Sequence, residues 1–280
     1  MSGLPDTSLI SEQVSLALAE DLGSGDLTAA LLDQRVTARA HIVCRESAVI
    51  CGSAWVNEVF RQLDSAIDIE WLVNDGDQVS CGALVCRLRG NNRSLLSGER
   101  TALNYLQTLS ATATLTRRYV DAVEGTGVTI LDTRKTIPGL RLQQKYAVVC
   151  GGGKNHRIGL YDAILLKENH IKIAGSIASA LQQAKQIAPD GVEIETEVES
   201  LDELKEALAA GATRVLLDNF DLQMLRDAVQ ISAGRARLEA SGGVNLETIR
   251  AIAETGVNDI SVGALTKDLR AVDLSMLFVA

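Results

Sequence analysis

The chain has 280 residues, 46% of them hydrophobic, with a formal net charge of −9 and an isoelectric point near 4.9. That length holds one large domain or two unequal ones around a substantial core. An acidic balance with 3% aromatic residues argues against a nucleic-acid surface, and no apolar run reaches the roughly 18 residues of a membrane span.

The first residues, 1–20, are mixed and carry acids, unlike a secretory signal. Residues 8–18 read as a short helix, followed by a Gly/Asp-rich turn at 21–26. Alternating apolar and polar residues predict strand over 36–50, and helical spacing follows at 53–63. Strands are expected at 67–73, 78–79 and 83–88, with Asn74-Asp75-Gly76-Asp77 as a hairpin turn between two of them. Cys44, Cys51, Cys81, Cys86 and Cys150 form no CxxC pair. Their odd number fits reduced thiols in a cytoplasmic protein better than a disulfide framework or a zinc site.

A long helical pattern covers 94–123 and ends at Gly125. Beyond it the texture changes to short apolar runs at 128–132, 163–166, 192–197, 214–218, 236–239 and 259–262. Helical segments at 177–187, 201–210, 222–231 and 246–255 separate the later ones. Regular βα alternation predicts a parallel sheet, and the short repeat suits a βα barrel. An open doubly wound sheet is the alternative, although no GxGxxG follows a first strand.

Charge picks out the middle of the chain. Residues 98–175 carry 11 Lys and Arg against 6 Asp and Glu, whereas both flanks are acidic. Arg134, Lys135, His156, Arg157 and Lys167 fall among glycines and short apolar runs there. Burying so many unpaired cations is costly, so the pattern points to a pocket for anions. Polar residues also end successive predicted strands: Asp132, Lys167, Glu197, Asp218, Ser241 and Gly263. That edge is where βα barrels build their sites. Ser241-Gly242-Gly243 and Gly263 follow the last two strands, where backbone N–H groups can approach a phosphate. Glu197 and Asp218 can hold Mg²⁺, bind ribose hydroxyls or steady a cationic centre, and they also read as solvated acids. Lys167 suits either a Schiff base or an anion. His170 reads equally as a cap or a site residue, and His41 as structural.

Glu99-Arg100-Thr101-Ala102-Leu103-Asn104, the run from Asp132-Thr133-Arg134-Lys135-Thr136 to Arg141, Gly151 to Leu160, and Lys167-Glu168-Asn169-His170 closely resemble the quinolinate phosphoribosyltransferase family. Leu217-Asp218-Asn219-Phe220, Ser241-Gly242-Gly243 and Val262-Gly263-Ala264-Leu265-Thr266 continue the likeness. It implies an N-terminal α/β sandwich over 1–112 and an incomplete, seven-stranded βα barrel over 113–269, with the tail 270–280 packed back on the first domain. It also implies a homodimer in which Arg100 completes the partner's site. Arg100, Arg134, His156, Arg157 and Lys167 would hold quinolinate. Lys135, Lys167, Glu197, Asp218, Ser241, Gly242, Gly243 and Gly263 would hold 5-phosphoribosyl-1-pyrophosphate, with Mg²⁺ near Glu197 and Asp218 and no organic cofactor. Lys135, Lys167, Glu197 and Asp218 would be catalytic. A Schiff-base lyase, a non-catalytic anion-binding protein and a relative encoded with molybdate transporters are the competing readings.

Overall fold

The computed structural model describes residues 3–279. In chain order the elements are α1 (Thr7–Leu22), β1 (Thr37–Cys44), β2 (Ala48–Val49), α2 (Ser53–Leu63), β3 (Asp68–Trp71), β4 (Gln78–Val79), β5 (Leu84–Asn91) and α3 (Asn92–Ala122). There follow β6 (Thr129–Leu131), α4 (Arg141–Cys150), β7 (Ala163–Leu166), α5 (Glu168–Ala174), α6 (Ile177–Ile187), β8 (Glu193–Val198), α7 (Leu201–Ala209) and β9 (Arg214–Asp218). The chain closes with α8 (Leu222–Ser232), β10 (Arg237–Ser241), α9 (Ile249–Ala253), β11 (Asp259–Ser261), α10 (Ala264–Lys267) and β12 (Leu274–Val279). Two compact units result. One comprises the chain up to Arg117, Leu142–Gly152 and the tail from Leu269. The other comprises Arg118–Arg141 and Gly153–Asp268. Most of α4 joins the first unit by its contacts.

In the first unit β12, β1, β5 and β3 form an antiparallel sheet in that order. β1 alternates along its length, so Ala40, Ile42 and Cys44 are buried on one face. α2 buries Trp55, Val56, Val59 and Phe60 from one stripe of its surface. Each such side chain contributes roughly 1.5–3 kcal/mol by leaving water. The 74–77 turn forms, with the Asp77 N–H on the Asn74 carbonyl at 3.0 Å. It is not a hairpin, however: β3 pairs with β5, while β4 pairs with β2. Asp75 holds the turn against the 48–53 segment instead. Its carboxylate accepts the Gly52 and Ser53 N–H groups at 3.1 Å each, capping α2, and the Tyr146 hydroxyl at 2.9 Å. These bonds tie the turn to the 48–53 segment. Asp75→Ala is expected to lose about 2–3 kcal/mol of stability, read as a lower midpoint in urea, because three donors lose a charged acceptor.

In the second unit the six strands lie parallel in the order β6, β11, β10, β9, β8, β7. The order advances one strand at a time from β7 to β11 and never reverses, unlike a doubly wound sheet. Successive helices lie side by side, and α6, α7 and α8 pack in sequence. Among the described residues the sheet has six strands where the family resemblance implies seven. At the free edge of β6 only Lys154 pairs, through a single parallel bridge to Leu131. No described helix is long and apolar enough to cross a membrane.

Candidate active site

Parallel strands carry their C-terminal ends to one edge, and the register aligns the polar residues there. Ser241 on β10 sits beside Asp218 on β9. Thr133, Arg134 and Lys135 follow β6, Lys167 follows β7, and Glu197 lies near the end of β8. With His156, Arg157, Glu239 and Ser261 they line one cavity of about 280 Å³. The expected residues Arg134, Lys135, His156, Arg157, Lys167, Glu197, Asp218 and Ser241 thus meet in a single place.

Cations crowd this cavity, and most of them have no acid paired with them although Glu197, Asp218 and Glu239 also line it. Among the described residues no carboxylate pairs with Arg134, Lys135 or Arg157, and the buried Nε of Arg134 has no hydrogen-bond partner. Burial, and then the Arg134 charge, weaken the hold of Arg157 on its proton. Arg134 and Arg157 are half-buried while Lys135 is exposed, and like charges held close together are unfavourable unless an anion joins them. Lys167 differs, because its ammonium is hydrogen-bonded to Glu197 Oε2. An ammonium in that ion pair is no free-amine nucleophile, which counts against a Schiff base. Asp218 Oδ2 accepts Asn219 Nδ2–H at 2.8 Å. Carboxylate oxygens are hard donors that suit Mg²⁺, so Glu197 and Asp218 fit such an ion chemically.

His156 is positioned twice. Its N–H donates to Asp132 Oδ1 at 2.9 Å, and Asp132, fully buried, also accepts Asn155 Nδ2–H at 2.6 Å. Asp132 therefore anchors the 155–157 segment. Nδ1 of His156 accepts the Arg157 N–H at 2.7 Å, so the ring proton sits on Nε2 and faces Glu195 Oε2 at 2.9 Å. Burial lowers the His156 pKa, but Glu195 and Glu239 outweigh it and raise it.

Below lies a network that the sequence reading did not foresee. Arg214 reaches Glu195 at 3.0 Å, Glu239 at 2.7 Å and Asp259 at 3.2 Å, and Arg237 grips Asp259 at 2.5 Å. His156, Glu195 and Glu239 would resemble a metal cluster, since their donor atoms fall within 4.8 Å. The Arg214 guanidinium already takes both carboxylates, so the trio holds a cationic side chain instead. The missed signal was alternation. Glu193, Glu195 and Glu197, and likewise Arg237, Glu239 and Ser241, recur at every second position and so share one face of the sheet.

Two of the three glycines serve close packing. At Gly242 a Cβ would meet Asn219 Oδ1 at 2.1 Å, and at Gly263 it would meet Lys135 Cδ at 3.2 Å. Gly243 has φ +59° and open space around it. None of the three is among the residues lining the cavity. His170 caps: its Nδ1 accepts the Lys167 N–H at 3.0 Å. Arg100 is exposed on α3, in the first unit.

Comparison with known proteins gives a consistent family. Residues 26–110 match the N-terminal domain, and 112–277 the C-terminal domain, of quinolinate phosphoribosyl transferase. The chain is 42% identical over 257 residues to a probable carboxylating nicotinate-nucleotide pyrophosphorylase of Bacillus subtilis, covering 92% of this chain and 89% of that protein. It is 40% identical over 289 residues to a decarboxylating quinolinate phosphoribosyltransferase of Nicotiana tabacum, covering 95% and 81%. The solved nicotinate-nucleotide pyrophosphorylase of Francisella tularensis superposes with a TM-score of 0.97 at 46% identity, covering 100% of this chain and 99% of that one.

Proposed function

This chain belongs to the quinolinate phosphoribosyltransferase family, and we propose that its strand-end cavity joins quinolinate to the ribosyl of 5-phosphoribosyl-1-pyrophosphate with loss of CO₂. The products are nicotinate mononucleotide and pyrophosphate, a step of NAD biosynthesis. The observation that carries the reading is the cluster of Arg134, Lys135, His156, Arg157 and Lys167 facing Glu197 and Asp218 in one cavity. One substrate is a dicarboxylate and the other carries a phosphate and a pyrophosphate, and a guanidinium fork suits such groups.

Arg134 and Arg157 hold the two carboxylates, with Lys167 beside them, while His156, expected from the resemblance to join them, has its ring nitrogens on the Arg157 N–H and Glu195 and forms part of the wall. Lys135 and Lys167 face the pyrophosphate. The pyridine nitrogen attacks the ribosyl carbon as the bond to pyrophosphate breaks, with the bonding pair leaving on oxygen. Glu197 and Asp218 stabilise the positive charge that develops on the ribosyl centre. Cleavage of the C2–carboxylate bond then releases CO₂, and the electron pair left at C2, next to the pyridinium nitrogen, takes up a proton. Mg²⁺ held by Glu197 and Asp218 would neutralise pyrophosphate oxygens. Ser241, Gly242, Gly243 and Gly263 are assigned to the 5-phosphate. Arg100 is assigned to the cavity of a second copy in a homodimer. The non-reversing strand order and the Lys154 bridge support an open barrel for the second unit, and the antiparallel sheet with its helices supports a sandwich for the first. Five unbridged cysteines support a cytoplasmic setting.

The test is product formation from quinolinate, 5-phosphoribosyl-1-pyrophosphate and Mg²⁺, with nicotinate in parallel. Nicotinate mononucleotide and CO₂ are expected from quinolinate alone. Product from neither pyridine would remove the assignment.

A further inference from the structure

Glu239 is fully buried on β10, yet it lines the same cavity as Lys167 and Asp218. One oxygen accepts Arg214 Nη2–H at 2.7 Å. The other, Oε1, has no hydrogen-bond partner and lies 3.5 Å from His156 Nε2. The proton on that nitrogen is directed at Glu195, because Nδ1 already holds the Arg157 N–H. A buried carboxylate oxygen lacking a donor is costly when charged and much less so when the group is neutral.

Charged groups face Glu239 from each neighbouring element. β9 supplies Arg214, β8 supplies Glu195, β11 supplies Asp259, and the segment after α4 supplies His156 and Arg157; the uncharged Ser261 hydroxyl on β11 also faces the carboxylate and, with Arg214 and His156, opposes the upward shift. Arg214 is shared among Glu195, Glu239 and Asp259, so its one charge is divided three ways. Burial first, and then the Glu195 charge, push the Glu239 pKa up to about 7. Any anion entering the cavity adds negative charge beside this group and raises it further.

Taking the cavity as the quinolinate site, on which this step rests, we infer that Glu239 is a positioning residue that holds a proton in the loaded enzyme and turns its O–H on Oε1 toward the bound dicarboxylate. Quinolinate then binds together with one proton. A neutral acid donates where a carboxylate would repel. A purely structural Glu239 would hold its strand without linking binding to pH.

The experiment is calorimetry of quinolinate binding to the whole protein from about pH 6 to about pH 9, in buffers of different ionisation heat. The wild-type protein is expected to take up close to one proton above neutrality. Its Kd should weaken about tenfold per pH unit above the Glu239 midpoint. Glu239→Gln keeps a neutral donor and the Arg214 bond, so its Kd should stay level with pH and its proton uptake should vanish. Because a core variant can misfold, infrared difference spectra of the wild-type protein give a second reading: quinolinate must bring up the carbonyl stretch of a newly protonated carboxyl. Wild-type protein that makes nicotinate mononucleotide but takes up no proton, a folded variant with undiminished uptake, or no new stretch overturns the role of Glu239 and leaves the transferase reading in place. Failure of the wild-type protein to bind or convert quinolinate overturns both.

Discussion

Asp218→Asn is expected to lower kcat about a hundredfold while leaving quinolinate affinity within about threefold, the scale seen when one preorganised electrostatic partner of a transition state is removed. The exchange keeps shape and size, and its amide can still bond the neighbouring Asn219, which now reaches Asp218 Oδ2 at 2.8 Å. What disappears is one negative charge on the cavity wall. In the proposed assignment quinolinate is held chiefly by the cations Arg134, Arg157 and Lys167, which this change leaves in place. The proposed task of Asp218 appears only as positive charge grows on the ribosyl carbon, so the loss belongs in kcat. Steady-state rates beside calorimetric quinolinate affinity separate the two. An unchanged kcat would sink the role given to Asp218, and a loss confined to affinity would move it to ground-state binding.

Arg214→Ala is the largest structural effect expected. The side chain is 12% exposed and bridges Glu195, Glu239 and Asp259 across three strands. Its removal leaves those acids together, with the guanidinium of Arg237 on Asp259 alone. Breaking a buried pair from one side costs about 3–5 kcal/mol, which for a chain of this size is a fall of roughly 10 °C in Tm. The loss must depend on pH. A carboxyl whose folded pKa lies above its unfolded one favours the folded state least once it ionises. Glu239 already stands near 7 against an ordinary 4.5, so its contribution to folding declines as pH rises across that window. Without Arg214 the folded pKa values climb further, and the gap between variant and wild type should widen from pH 5 to pH 8. Thermal melts at both pH values check this, and a gap that shrinks as pH rises would overturn the account.

Much of the second unit was legible locally. Ala163–Leu166, Arg214–Asp218, Ile177–Ile187 and, in the first unit, Ser53–Leu63 begin and end where the residue patterns place them. Period-two and helical spacing are properties of neighbours along the chain. α4 and α5 went unread because α4 buries polar residues, Gln143, Gln144 and Lys145, which hide any apolar stripe. α5 buries none of its residues at all.

The sequence by itself determined the parallel sheet, the basic segment amid acidic flanks, and through the motif set the family. Each depends on residue type and spacing alone. Only the tertiary structure decided which charges share a cavity and which serve the core. Glu195 and Glu197 stand two positions apart on β8, but Glu197 meets Lys167 at the strand-end cavity while Glu195 meets His156 and Arg214 beneath it. It likewise decided that Asp75 caps a helix and that β4 pairs with β2. A carboxylate's environment is set by groups far off in the chain, and no local pattern records the distance between them.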